Sequence, residues 1–572
     1  MKRVFSYLYP FRLRMAMGFL IKVLGTVAEL LLPVVLTHIL KTVVASEDLT
    51  QVILWGALML LFAGLACLFN ITANRMAATV GKRFSEALRR DLFYKTLTLD
   101  TATTDAFTIP SLESRITTDT YHVHNFVMMI QRMGVRAPIL LLGGVSITLL
   151  MDASLALVML ATMPLIFLTV FIISRLGTRL YSRVQLATDS TVRVLREDFG
   201  GMRVIKALSK GGYEIDRFEE KNRTLSQSEQ TASFTMSITH PVMNLLMNGG
   251  IAAVIALAAL RVRDGSSDPE TVLAFMQYFT QISMALMAVS RMFVMYSKCS
   301  ASARRITEVL DTRDTVVKEA RENTAPSSDM ITFRDVSFSY AGVKNDLDRI
   351  SFSLPRGGSL GVIGGTGSGK STLIKLMLRF YDADSGEILF DGKPIRSYAR
   401  EEIAPFVGVA HQKDFLFADT VRENVRFGRK ISDEEILAAL RIAQAEDFVR
   451  ALPEGLDHLI SAGGTNLSGG QRQRLLIARA VAGSPALLIL DDASSALDYK
   501  TDAALRAALA GMEKRITTVT VAQRASSVMH CDRILVLDEG RMIGYGTHGE
   551  LLASCDIYRE ISESQMGGAL FE

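Results

Sequence analysis

Cysteine is scarce in this 572-residue chain, and its four copies, Cys67, Cys299, Cys531 and Cys555, lie far apart. They form no C-x-x-C pair, so neither a disulfide framework nor a cysteine metal site is expected, and a reducing cytosolic face is compatible. An excess of one charge sign is lacking too: the formal net charge is only +4, and the basic residues are scattered, mostly between apolar runs. That pattern reads as solvated loops, so no nucleic-acid partner is expected. The basic stretch from Met1 to Arg14 leads into a long apolar span without a small-residue cleavage site, which argues against a removable signal peptide.

What the chain has in abundance is apolar sequence. Hydrophobic residues make up 49%, high for a soluble protein, and the apolar runs crowd into the first half, while the remainder alternates strand-like runs with amphipathic helical ones. Two domains in different solvents follow: residues 1–301 in a lipid bilayer, a polar linker over 302–329, and an α/β domain over 330–572. Stretches near bilayer length fall at Met15 to Leu40, Val52 to Asn74, Gly134 to Met151, Leu155 to Ile173, Pro241 to Leu260 and Val272 to Tyr296, giving a bundle of about six transmembrane helices with both termini on one side. The short loops carrying Glu47 and Asp48, Asp152, and Arg261 and Arg263 offset by Asp264, Asp268 and Glu270 are lean in net positive charge. The intervening segments, with Lys82, Arg83, Arg89, Arg90, Lys206 and Lys210, are basic and are therefore cytosolic.

Those cytosolic segments, Arg75 to Met133 and Leu176 to His240, are too long for turns and show helical periodicity at Phe84 to Leu97 and Thr191 to Leu208, so the spans are expected to continue as long cytosolic helices. Inside the spans, Glu29, Asn244, Asn248, Gln277, Gln281 and Arg291 are polar residues that need partners. Helix-to-helix hydrogen bonding accounts for the amides; Glu29, ionisable and mid-span, suits a substrate cavity better. Met243, Met247, Phe275, Phe279, Met284 and Met287 lie on the last two spans. They suggest a small hydrophobic or amphipathic substrate, although such stripes serve more often as packing surface.

In the second half, Gly364, Gly365, Thr366, Gly367, Ser368, Gly369, Lys370 and Ser371 follow the strand-like Ser359 to Ile363 and precede the helical Thr372 to Phe380. This is a P-loop in the strand–loop–helix context it requires, which a chance glycine-rich loop would lack. Its backbone N–H groups and helix start can cradle the phosphates of ATP, Lys370 can reach the outer phosphates, and the Ser371 hydroxyl can ligate Mg²⁺.

A second motif narrows the class. Leu467-Ser468-Gly469-Gly470-Gln471, followed by Arg472 to Ala480, resembles the signature of ATP-binding-cassette (ABC) ATPases, and with the span layout the whole chain resembles an ABC half-transporter of the exporter type. The resemblance implies that two cassettes dimerise head to tail, each ATP held between one P-loop and the opposite signature. It further implies that Tyr340 stacks on adenine, that Gln412 contacts Mg²⁺ or the attacking water, that Asp491 at the end of Leu487 to Leu490 holds the metal through water, and that Ser495 to Asp498 is the D-loop. Ser111 to Asp119 and Gly212 to Phe218 resemble the two coupling segments of such exporters.

The pattern departs from the family at two catalytic positions. Asp492 stands where the general-base glutamate is usual, and Gln523 replaces the switch histidine. Aspartate is one methylene shorter, and glutamine can hydrogen-bond a phosphate but cannot take up a proton. Ser461 to Asn466, just before the signature, also lacks the usual acidic residue. The resemblance then implies the degenerate-site member of a heterodimeric bacterial multidrug exporter, in the inner (plasma) membrane with its nucleotide-binding domain in the cytoplasm. A homodimeric active exporter, an importer on the exporter fold, and an ATP-gated channel or regulator remain the alternatives.

Overall fold

The computed structural model describes residues 1–264, 268–313, 328–340, 342–412, 414–493, 495–512 and 515–566. They divide into two compact units, Met1–Thr98 with Thr108–Thr312, and Leu99–Phe107 with Arg313–Glu572.

The first unit is helical. Its principal helices are α1 (Arg12–His38) and α2 (Leu49–Thr98), followed, beyond the short α3 (Thr101–Phe107) of the second unit, by α4 (Thr120–Met151), α5 (Ala153–Ala207), α6 (Gly211–Ser237), α7 (Thr239–Arg263) and α8 (Pro269–Asp311). Among the described residues, six helical segments are long and apolar enough to cross a membrane. The 50 residues of α2 correspond to about 75 Å of helix, far beyond a hydrocarbon core of roughly 30 Å, so the spans do continue as helices past any bilayer. Asp152 breaks the chain between α4 and α5 and caps the latter, accepting from Ser154 N at 2.9 Å; its carboxylate also meets Arg261 at 3.3 Å.

The methionine and aromatic stripe proves largely structural. Met243, Phe275 and Phe279 are buried against the chain's own helices, whereas Met284 is exposed. Helix α8 also runs on to Asp311, so the first third of the expected linker is helix; its residues 314–327 lie outside those described.

For the first of the two expected coupling segments the structure departs from the expectation. Ser111 to Asp119 occupies a short helix and a π turn fastened to α8 within the first unit. Fully buried Asp119 accepts from Ser302 Oγ at 2.8 Å and Arg305 Nε at 2.7 Å, and Arg115 pairs with Glu308 at 2.9 Å. The segment that groups with the second unit lies upstream: α3, where Asp105 accepts from Tyr381 Oη at 2.5 Å. Asp100 starts α3, its carboxylate accepting from Thr103 N at 2.7 Å, an N-cap visible in the sequence. Gly212 to Phe218 opens α6, where Arg217 pairs with Glu197 and Glu214 of the same unit.

The second unit holds two sheets. Strands β1 (Asp329–Phe338), β2 (Leu347–Pro355), β4 (Ser385–Phe390) and β5 (Lys393–Pro394) form an antiparallel sheet. The other runs β10 (Arg541–Gly546), β9 (Arg533–Asp538), β3 (Ser359–Gly364), β8 (Thr517–Val521), β7 (Leu487–Asp491), β6 (Val407–Ala410), parallel throughout except for edge strand β10. Strand β7 is buried along its whole length, as expected of a central parallel strand covered on both faces.

Removing Arg305 would leave the Asp119 carboxylate buried with only a serine hydroxyl. Arg305→Ala is therefore expected to destabilise the chain by about 3 kcal/mol, and Asp119→Asn by less, because an amide still bonds Ser302 and leaves no buried charge. Thermal unfolding of both variants checks the ranking; the opposite order would contradict it.

Candidate nucleotide-binding site

Four parallel strands deliver the candidate residues to one edge. Register pairs Val362 with Val521, Val521 with Asp491, and Leu490 with Ala410, so β3, β8, β7 and β6 end side by side. Just past those ends come the P-loop, Gln523, Asp492 and Gln412 respectively. The carboxyl edge of a parallel sheet is where α/β folds bind ligands.

The loop after β3 turns into α9 (Lys370–Met377). A Cβ on Gly364 would fall on the carbonyl oxygen of Leu537, and one on Gly369, whose φ is +100°, would lie 2.7 Å from Leu347 Cδ2; only glycine fits either place. Gly365 and Gly367 face open space, leaving room for phosphate oxygens against the backbone. Ser368 is buried and its carbonyl accepts from Gly540 N at 3.2 Å, tying the loop to the turn after β9. Thr366 and Ser371 are exposed. Lys370 curls back, donating to Gly364 O at 2.8 Å and Gly365 O at 2.6 Å. Burial holds its amine below the usual lysine value, with Asp491 and Asp492 opposing that shift.

Tyr340 stands beside this helix. Its hydroxyl is 3.4 Å from Thr372 Oγ1, its ring meets Phe338 and Tyr381 edge-on at 4.9 and 5.2 Å, and the Lys375 ammonium lies 5.0 Å from its centroid. The ring is nevertheless 45% exposed, which leaves it surface for stacking.

Asp491 is buried at the end of β7. Burial lifts its carboxyl above the usual carboxylate range, while His411, the backbone N–H of Gln412 and Lys370 pull it down. His411 therefore belongs to this electrostatic group, a neighbour that sequence reasoning passed over. Asp492 follows with φ +52°, a left-handed conformation that aspartate tolerates better than most residues. Its carboxylate accepts from Gln412 Nε2 at 3.1 Å. Gln523 is exposed, and its carbonyl is held by Gln565 Nε2 at 2.9 Å, a C-terminal residue that no sequence motif flags. The oxygens of Ser371, Asp491 and Gln412 are hard donors of the kind Mg²⁺ takes; among the described residues no cluster of three or more His, Cys, Asp or Glu offers a metal site, so phosphate oxygens and water would supply the remaining ligands.

The signature opens α10 (Gly469–Val481) through a capping box: Ser468 Oγ accepts from Gln471 N at 3.2 Å, and Gln471 Oε1 accepts from Ser468 N at 3.0 Å. That leaves the Ser468 hydroxyl proton and the N–H groups of Gly469 and Gly470 facing outward at a helix start. A Cβ on Gly470 would lie 3.4 Å from Ala496 O in the D-loop. Asn466 turns inward, accepting from Ser461 N at 3.0 Å and donating to Leu459 O at 3.1 Å, so it closes its own loop.

Residues 15–286 match the family of the ABC transporter transmembrane region and residues 347–495 the ABC transporter family. The chain is 34% identical, over 98% of its length and 97% of the relative's, to an uncharacterized ABC transporter ATP-binding protein of Mycobacterium tuberculosis. It is 33% identical, over 65% of its length and 66% of the relative's, to the ATP-dependent lipid A-core flippase of Desulfotalea psychrophila. A bacterial Atm1-family ABC exporter solved with ATP bound superposes with a TM-score of 0.83 at 24% identity, covering 97% of this chain and 99% of that one, a likeness of fold.

Gly364→Ala places a methyl group against backbone that cannot yield. It is expected to weaken binding of a fluorescent ATP analogue at this chain's P-loop by at least about tenfold, or 1.4 kcal/mol, with helix content by circular dichroism unchanged; unaltered affinity would contradict the cradle assignment.

Proposed function

This chain belongs to the ABC transporter family, with fused membrane-spanning and ATPase regions, and on that premise we propose that it is one subunit of a heterodimeric ATP-driven exporter whose own P-loop site holds ATP and hydrolyses it slowly. The observation that carries the proposal is Asp492. Its short carboxylate is engaged by the Gln412 amide at 3.1 Å, where the family has a longer glutamate. A misplacement on the order of an ångström can cost about a hundredfold in rate.

In this reading adenine stacks on Tyr340. Lys370 exchanges the carbonyls of Gly364 and Gly365 for the outer phosphates, and the N–H groups from Gly365 to Thr372 line the phosphate chain. Ser371, Asp491 and Gln412 would hold Mg²⁺, which would supply neutralisation of phosphate charge. Gln523 donates a hydrogen bond to the γ-phosphate but carries no proton through the reaction. The attacking water thus lacks a well-placed base. Ser468, Gly469, Gly470 and Gln471 keep the family pattern and face the partner subunit's ATP, so the site completed by this signature turns over while this chain's own site keeps the dimer closed longer.

In this reading the exporter-type fold supports export, and the positive-inside loops support an ATPase region on the cytoplasmic side of an inner (plasma) membrane. The likeness to a lipid A-core flippase supports an amphipathic, lipid-like cargo. The rival is a homodimer in which Asp492 serves as base in both sites.

ATP turnover by the chain alone and with its partner separates the two. The lone chain is expected to be nearly silent, the pair active, and Asp492→Glu with Gln523→His to raise turnover at this site by about a hundredfold; brisk hydrolysis by the lone wild-type chain would leave the homodimer.

A further inference from the structure

The membrane-spanning unit carries a charged cluster that ATP chemistry does not use. Lys22 of α1 is 3% exposed, yet among the described residues its ammonium donates only to neutral amides of α2, Asn70 Oδ1 at 2.8 Å and Asn74 Oδ1 at 3.2 Å. Two turns further along α1, about 10 Å of helix, Glu29 pairs with Arg136 of α4 at 2.6 Å. Arg132 lies one turn before Arg136 on the same face of α4, and the charges of Glu29, Arg132 and Arg136 all act on Lys22. Three cations thus share one region of the span with a single carboxylate. Hydrogen bonding leaves capacity over: among the described residues, Arg132 Nε, Arg136 Nε and Glu29 Oε2 are buried without a partner.

An apolar groove lies between the same two helices. Val27, Leu30 and Leu31 of α1 and Pro138, Leu142 and Ile147 of α4 line it, with a volume of about 390 Å³, inside the roughly 300–1,000 Å³ range of small-molecule pockets. Arg132, Arg136, Ile139 and Gly143 follow one helix face, so the basic stripe of α4 leads into the groove. Uncompensated cations within a spanning region are costly and mark ligand contacts, and arginine forks suit phosphate and carboxylate oxygens.

We infer that cluster and groove together bind an amphiphile with an anionic headgroup, the acid held by Lys22, Arg132 and Arg136 and the hydrocarbon tail in the groove. This deepens, and rests on, the reading that the chain moves amphipathic cargo. Glu29 has a defined part in it: its carboxylate neutralises Arg136 in the empty site and competes with the incoming headgroup. In the orientation given above, Lys22, Arg132 and Arg136 lie on the cytosolic side of mid-span, where an inner-leaflet headgroup would reach them, and Glu29 lies at mid-span beyond Lys22.

The test is equilibrium binding of radiolabelled dodecyl phosphate to the full chain in phosphatidylcholine nanodiscs without nucleotide. Unlabelled dodecyl phosphate is expected to compete at least about tenfold better than dodecyltrimethylammonium, and inorganic phosphate to compete poorly because it has no tail. Arg132→Gln should weaken binding about tenfold, Arg132→Lys should retain most of it, and Glu29→Gln should tighten it, a gain that misfolding cannot produce. Equal competition by the cationic amphiphile, weaker binding in Glu29→Gln, or inorganic phosphate competing as well as dodecyl phosphate would each overturn the assignment. Because no ATP is present, the two readings fail separately: anion binding without ATP-driven movement of the probe removes the transport reading and keeps the site, whereas cargo transport without anion selectivity removes the site alone.

Discussion

In a parallel sheet the strand register fixes where each chain emerges, and here one register governs all the phosphate-facing chemistry. Strands β3, β8, β7 and β6 end together because Val362, Val521, Asp491 and Ala410 stand at matching levels of one ladder. A slip of one residue in β7 alone would turn Asp491 from the site into the core. The ladder resists such a slip because β7 is buried at every position and packed between two large apolar clusters. Rigidity of the sheet fixes where Asp492, Gln412 and Gln523 emerge, because each stands only one or two residues past its strand's end, at the start of a connecting loop.

The departures from the family pattern lie in those short loops and leave the ladder untouched. Asp492 keeps the backbone of its position, its N–H donating to Val521 O at 2.8 Å, while its side chain is one methylene shorter than glutamate, the difference on which the proposed slow hydrolysis rests. The P-loop keeps its glycines and Lys370, and the signature keeps its helix-start capping box. Binding and hydrolysis are separable in such a site because binding uses backbone N–H groups, whereas the rate depends on one carboxylate placed to a fraction of an ångström. The membrane-spanning unit obeys the same logic with different means: Asp119 is tolerated at full burial because Ser302 and Arg305 meet it, and Glu29 because Arg136 does.

The P-loop and signature were legible from sequence because each is a contiguous run whose spacing carries its geometry, and the spans because hydropathy averaged over a helix is a local quantity. The same averaging hid Lys22 and Arg136, single charges inside otherwise apolar windows, and no local pattern pairs residues on three helices. Helix α3 was missed because a seven-residue helix has little periodicity; its signals were the Asp100 cap and a tertiary partner, Tyr381, far away in sequence. Ser111 to Asp119 misled for the converse reason: its resemblance to a coupling segment is local, whereas the engagement of Arg115 and Asp119 by α8 is tertiary. His411 and Gln565 reach the site through folding alone.

On the proposed reading, this chain's P-loop retains ATP while the partner's site turns over. Photolabelling the working heterodimer with an azido-ATP carrying its radiolabel on the α-phosphate, then separating the subunits and identifying the nucleotide on each, tests it directly. The account predicts triphosphate on this chain and diphosphate on the partner after many turnovers; diphosphate on both in equal measure would contradict it.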